Sequence, residues 1–150
     1  MLAAIEGTQK MGTLVITANH LVLLADALSR FGRDDEALDT VNEALSVCTR
    51  GLGRYYEPLA HQVKGELLWK RGDRVAGEAS LRSALRVAEN QGAKIFELRA
   101  ATALARSLSD VGRASEGRDR LAQVCHTLQG QPDEGYLGHA KALLERLSQA

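Results

Sequence analysis

The chain has 150 residues, with hydrophobic residues at 45% and charged residues at 25%, ordinary values for one globular domain that can bury roughly 68–70% of its unfolded surface. Nineteen Lys and Arg balance nineteen Asp and Glu, so no net field draws the chain to nucleic acid or to an anionic membrane. Aromatics are sparse at 4%, while Ala and Leu abound, which favours closely packed helices over a sheet rich in β-branched side chains; the expected fold class is all-α.

An internal repeat organises the chain. Gly32, Gly72 and Gly112 are each 40 residues apart, and around them LADALSRFGRDDEAL, KGELLWKRGDRVAGE and LARSLSDVGRASEGR align without gaps. In chain order, residues 1–12 read as a partial repeat: a shift of 40 puts Ala4 on Ala44 and Ile5 on Leu45, and a shift of 80 puts Gly12 on Gly92. They match the last turns of a second helix whose first helix is missing. Either an upstream segment or a second copy of the chain is expected to cover the apolar face at that end. The short apolar start is interrupted by Glu6 and Lys10, unlike a secretory signal. No run approaches the ~18 apolar residues of a membrane helix, so the expected setting is cytoplasmic.

Repeat one covers residues 13–53. Its first helix is expected from Thr13 to Phe31, with Leu14, Leu21, Leu24, Ala25 and Leu28 at the spacing of one helix face. Gly32 ends it, Asp34 offers an N-cap, and Asp35 and Glu36 complement the macrodipole of the second helix. That helix runs to about Arg50, with Ala37, Leu38, Val41, Ala44, Leu45 and Cys48 inward, and Gly51 and Gly53 break it. Gly51-Leu-Gly-Arg has the look of part of a phosphate loop, but no strand precedes it and the spacing is incomplete, so helix termination is the better reading.

Repeat two covers residues 54–93. Pro58 falls in the first turn of its first helix, where the missing N–H breaks no hydrogen bond. The helix reaches Arg71. Asp73 caps the second helix, which carries Ala76, Ala79, Leu81, Ala84, Leu85 and Ala88 inward before Gly92. Arg71-Gly72-Asp73 also spells an adhesion motif, yet each residue has a local role as helix-end cation, helix-ending glycine and N-cap.

Repeat three covers residues 94–132. Its first helix, Lys94 to Val111, turns Leu98, Ala101, Leu104, Ala105 and Leu108 inward, and its second, Ala114 to Gln129, turns Leu121, Val124, Cys125 and Leu128 inward. The GQPDEG stretch is the clearest loop of the chain. Residues 133–150 form a capping helix, with Asp133 as its cap and Ala140, Leu143, Leu144 and Leu147 facing inward.

No catalytic chemistry is legible. His20, His61, His126 and His139 have no second ligand at i+3 or i+4 to complete a metal site. Cys125 and His126 are adjacent, but neighbouring helical residues point about 100° apart, so an imidazole-activated thiol is not expected. Cys48 and Cys125 form no CxxC pair and stand at different phases of the repeat; both read as small buried hydrophobes in a reducing compartment. No enzyme, cofactor or metal is expected.

The order small, bulky, turn glycine, small, bulky, small is met by Ala25, Leu28, Gly32, Ala37, Val41 and Ala44. It recurs as Gly65, Leu68, Gly72, Gly77, Leu81 and Ala84, and as Ala105, Leu108, Gly112, Gly117, Leu121 and Val124. It resembles the tetratricopeptide repeat, over nearly the whole chain. Two features depart from that family. The period is 40 where ~34 is typical, and Thr49, Glu89 and Gln129 stand where a proline usually ends the second helix. KGELLWKRGD, QGAKIFELRAATALARSL and HAKALLERL are similar to the longer repeats found C-terminal to nucleotide cyclases and ATP-binding transcriptional activators of bacteria.

The resemblance implies a right-handed superhelix of antiparallel helix pairs, and a concave surface on the first helices that binds a protein or peptide segment. Carried over, that surface holds Asn19, Val22, Asp26, Ser29 and Arg30, then Leu59, Gln62, Glu66, Trp69 and Lys70, then Arg99, Thr102, Arg106, Ser109 and Asp110. Trp69 follows the inward Leu68 and is expected either to face the groove as an aromatic anchor or to pack on a neighbouring repeat or a second chain. Arg99 and Arg106, seven apart on one face, could hold a carboxylate; the alternatives are a solvated face or a pairing of Arg106 with Glu66. The basic pattern by which some relatives grip a peptide C-terminus is not evident, since Asn19 has no matching lysine. The implied function is a non-catalytic protein- or peptide-binding module of a larger bacterial regulator, and the alternative is a homodimerisation domain.

Overall fold

Four of the helix-to-helix connections, the one at Gly92 included, are built on one turn. The structure, a computed structural model, describes residues 2–51, 53–128 and 134–149, the side chains of 2–15 and 134 excepted. Among the described residues there are seven α-helices and no strand: α1 Leu2–Arg30, α2 Asp34–Thr49, α3 Glu57–Lys70, α4 Arg74–Gln91, α5 Lys94–Ser109, α6 Ala114–Thr127 and α7 Glu134–Gln149. A 3-10 turn, Arg54–Tyr56, precedes α3. The fold is all-α.

The turns after α1, α3 and α5 place Gly32, Gly72 and Gly112 at φ 76°, 90° and 78°, a region that glycine enters without a Cβ penalty. Each turn closes with the same two bonds. The glycine N–H donates to the carbonyl three residues back, at 3.1 Å in every case. The following N–H reaches back five residues, Arg33 to Leu28 at 2.9 Å, Asp73 to Leu68 at 3.0 Å and Arg113 to Leu108 at 2.9 Å. This is the Schellman closure, and it satisfies carbonyls that a helix end otherwise leaves open.

The residue after each glycine is the N-cap of the next helix. In repeat two it is Asp73, whose Oδ1 accepts from the Ala76 N–H at 3.0 Å, as expected. In repeat one it is Arg33, which makes no side-chain cap bond, so the expected Asp34 cap is not there. Asp34 is the first residue of α2, and its carboxylate accepts from Lys70 Nζ at 2.7 Å. Pro58 lies in the first turn of α3.

The N-terminal boundary differs from the expected one. α1 is continuous from Leu2 to Arg30, with no break at Gly12 and no new start at Thr13. An interior glycine costs about 1 kcal/mol relative to alanine, too little to stop a helix held on both sides. The side-chain matches of residues 1–12 and the inward role of Leu14 lie outside the described residues, as do residues 130–133 of the GQPDEG loop and the cap at Asp133.

Small residues set how closely each pair packs. A Cβ on Gly65 would stand 2.7 Å from Leu81 Cγ, one on Gly77 would stand 3.0 Å from the Trp69 nitrogen, and one on Gly117 would stand 2.7 Å from Ala105 Cα. Gly65 and Trp69 of α3 thus face Leu81 and Gly77 of α4, an antiparallel match. In repeat one the corresponding positions are Ala25 and Ala37, both at 0% exposure. Gly53 serves a similar purpose between elements, since a Cβ there would meet Ala18 Cβ at 2.8 Å.

Consecutive helices pack on one another from α1 to α7, and α1, α3, α5 and α7 also touch in series. One core cluster joins α4 to α7 and another joins α1, α2 and α3 with Ala88 and Phe96. α3 is therefore enclosed by α1, α2, α4 and α5. It buries Leu67 at 1% and Trp69 at 8%, while Leu68, expected inward, is half-buried. Two further inward assignments fail. Leu24 is 50% exposed and Ala79 is exposed. Leu104, the counterpart of Leu24, is buried in the α4–α7 core, whereas no described helix covers Leu24. Ile16, Leu23 and Leu24 of α1 and Phe31 in the turn after it are exposed apolar side chains.

Candidate functional site

The series α1, α3, α5 and α7 lines an open hollow of about 390 Å³. Because these helices are repeats of one another, positions 40 residues apart line up across it: Asp26, Glu66 and Arg106 make one row, Arg99 and His139 another. Asp26 and Arg30 of α1 stand one turn apart and form an ion pair at 2.9 Å. Gln62 and Glu66 of α3 have the same spacing, and Gln62 Nε2 donates to Glu66 Oε1 at 3.4 Å. α5 contributes Arg99, Thr102, Ala103 and Arg106, and α7 contributes Tyr136 and His139.

Of the sequence-predicted groove residues, Asp26, Arg30, Gln62, Glu66, Arg99, Thr102 and Arg106 are brought together here. The others are not. Asn19 is half-buried and lies outside the lining. Lys70 ties α3 to repeat one through Asp34 and the Ser29 carbonyl, at 2.7 and 3.0 Å. Asp110 lines a second hollow of about 330 Å³ with Arg106, Ser109, Leu143 and Arg146. Trp69 is buried and is no exposed anchor: its ring carries the Arg74 guanidinium 4.7 Å from its centroid, and its indole Nε1 has no hydrogen-bond partner. An enclosed helix leaves no free face at that position. Val22 and Leu59 are likewise in the core.

Charge is distributed unevenly between the hollow and the outer surface. Outside, Glu78, Arg82, Arg113 and Glu116 close a four-membered network, with Arg113 to Glu78 at 2.7 Å and Arg113 to Glu116 at 2.6 Å. Hydrogen bonds from Arg113 and Arg82 hold the Glu78 carboxyl below its ordinary range, and those from Arg82 and Arg113 do the same for Glu116. In the hollow the cations outnumber their bonded acids. Arg99 stacks over Tyr136 at 5.2 Å from the ring centroid, with a 3.4 Å contact to the hydroxyl, and has no carboxylate partner. Arg106 makes no ion pair among the described residues, and the pairing with Glu66 is an attraction through space without a direct bond. Burial pushes the Glu66 carboxyl above its ordinary range, opposed by the Gln62 hydrogen bond and by the charges of Arg106 and Arg99, and reinforced by Asp26. The His139 Nδ1 is 2.9 Å from the Gly135 carbonyl.

Reactive groups are muted elsewhere. Burial pushes the Cys48 thiol up to about 11 and raises that of Cys125, which disfavours the nucleophilic thiolate. His126 beside Cys125 is exposed. Among the described residues no three His, Cys, Asp or Glu side chains stand together as a metal set, and no helix is long and apolar enough to cross a membrane. Compared with known proteins, the chain matches no family model and no curated protein.

Proposed function

We propose that the chain is a non-catalytic binding domain of tetratricopeptide type, whose helix pairs stack in a right-handed superhelix and whose hollow takes a protein or peptide segment. The observation that carries this reading is the hollow itself: equivalent positions of successive first helices converge on one polar cavity. Three features support the repeat type: the 40-residue recurrence, the common turn closure and the small-residue seams. The wording of the repeats adds the larger setting, a cytoplasmic bacterial signalling or transcription-regulatory protein of which this is the interaction part.

Peptide display tests the reading. Selection on the wild type yields peptides that bind the hollow, and Thr102→Trp, which fills it from α5, weakens them by about ten-fold or more, as expected when a bound group loses its site. Peptides that bind both proteins equally, or no enrichment at all, would overturn it.

A second reading is self-association. It rests on Ile16, Leu23, Leu24 and Phe31, apolar side chains 57%, 53%, 50% and 84% exposed at helical spacing. Under that reading the solution mass is that of a dimer and Leu23→Glu returns it to a monomer; a monomeric wild type rejects it.

A further inference from the structure

We propose that two copies of this chain pair antiparallel through α1, each laying residues 2–11 along the seam of Ile16, His20 and Leu23 on the other. The inference deepens the self-association reading and rests on it, and it makes no use of the hollow.

Comparison between the repeats defines the seam. Residues four and seven places on from Ile16 share one side of the helix with it. In α3 and α5 that side is closed: Val63 and Ala103 are 6% and 3% exposed, and Ala60 and Ala100 are fully buried. On α1 the equivalent Leu23 is 53% exposed, and His20 is exposed too. Ile16 is 57% exposed where its counterpart Phe96 is 9%. The cause lies in what precedes each helix. Gly65 faces α4, the partner of α3 within its own repeat. Val63, two residues earlier and so about 200° away around the helix, shares a core cluster with Val41 and Ala44 of α2. In the same way Ala103 shares a cluster with Leu81 and Leu85 of α4. The seam of each first helix is thus covered by the second helix of the repeat before it, and among the described residues α1 has no such neighbour.

The occupant that fits the seam is a helix of this second type. Residues 2–11 are of that type by sequence, since a shift of 80 sets Ala4, Ile5 and Thr8 on Ala84, Leu85 and Ala88, all buried in α4. Within one chain they do not reach it. α4 and α5 are folded onto each other at Gly92, whose φ is 64°, whereas α1 continues as helix through the equivalent Gly12 and carries residues 2–11 away along its own axis. A second copy, turned antiparallel about Gly12, brings each 2–11 segment alongside residues 13–22 of the other, the register that Gly92 imposes on α4 and α5. The overlap is about 30 Å long. Charge permits it as well: residues 11–25 hold no Lys, Arg, Asp or Glu, the depletion found at the centre of an interface, so two copies meet there without like-charge repulsion.

Light scattering on the full chain at about 100 μM, a concentration that populates even a weak dimer, gives the solution mass. The expected result is a dimer. Ile5→Glu, on the exchanged segment, raises its dissociation constant by about ten-fold or more, because each copy then sets a charge against an apolar seam; circular dichroism shows the helices retained. Phe31→Glu changes an exposed apolar residue beyond the overlap and leaves the mass as it was. Gly12→Cys, at the two-fold, becomes a covalent dimer under mild oxidation, and Phe31→Cys does not; the native Cys48 and Cys125 are buried. A dimer that is indifferent to Ile5→Glu, that falls apart with Phe31→Glu, or that bridges at position 31 as readily as at position 12 overturns the exchange and leaves self-association through another surface. A monomeric wild type overturns both.

Discussion

Replacing a glycine by alanine inside a helix should have opposite signs at two positions of this molecule. Helix propensity by itself favours alanine by about 1 kcal/mol. At Gly138 on α7 a new Cβ meets nothing within 4 Å, so Gly138→Ala should stabilise by about 0.5–1 kcal/mol. At Gly117 on α6 the same atom would lie 2.7 Å from Ala105 Cα and 3.0 Å from its carbonyl oxygen. Those are backbone atoms of α5 and cannot rotate away. The two helices must separate, which costs about 1–3 kcal/mol for an overpacked contact and also loosens Leu108 and Leu121 beside it. The cost exceeds the propensity gain, and Gly117→Ala should destabilise by about 1 kcal/mol or more. Urea unfolding followed by helical circular dichroism reads both changes as midpoint shifts at constant slope. In a chain of this size each kcal/mol also moves Tm by about 2–4 °C. If Gly117→Ala is stabilised as much as Gly138→Ala, α5 and α6 do not approach as closely as described, and the account of the small-residue seams is wrong.

Two further predictions concern the core. Leu67→Ala, at a residue 1% exposed, should cost about 2–5 kcal/mol, while Leu68→Ala at a half-buried site should cost clearly less; equal losses in the same urea assay would put the wrong residue of α3 inward. Cys48 and Cys125 should resist alkylation by iodoacetamide in the native protein at pH 8 and react in urea, because burial raises both thiols and Cys48, pushed up to about 11, is about one part in a thousand thiolate there even before access is counted. Rapid native labelling, read by mass spectrometry, would show that the helices holding them open readily.

What the sequence made legible was whatever depends on neighbours along the chain. The glycine turns, the Asp73 cap and the Pro58 start are local, and the 40-residue recurrence made each visible three times or by contrast with its copies. The Asp34 cap was misjudged although the same alignment carried the answer: Arg33, and not Asp34, stands opposite Asp73. Much of the hollow was legible for a related reason, since equivalent positions of repeated helices must line up if the helices stack. Tyr136 and His139 were missed because their helix was read as a cap. In the repeat frame they stand opposite Phe96 and Arg99, a signal that was present. Trp69 stood between two expectations, groove anchor and packing on a neighbour, and its burial removes the first. A helix with one neighbour has an inside and an outside, and a residue next to an inward leucine points out. α3 is enclosed by four other helices, so that rule does not apply, and only the tertiary arrangement places the indole.

The hollow's walls differ in how firmly they are held. α3 is hemmed in by four helices, whereas α7 packs on α5 and α6 at one end of the series. Segments with fewer buried contacts open at lower free energy than the core. Tyr136 and His139 ride on that least-held helix, and Tyr136 is the residue that Arg99 stacks against. A ligand that touches Arg99 and Tyr136 together therefore couples occupancy to the docking of α7. By linkage the effect runs both ways: the factor by which binding suppresses the opening of α7 is the factor by which a docked α7 tightens binding.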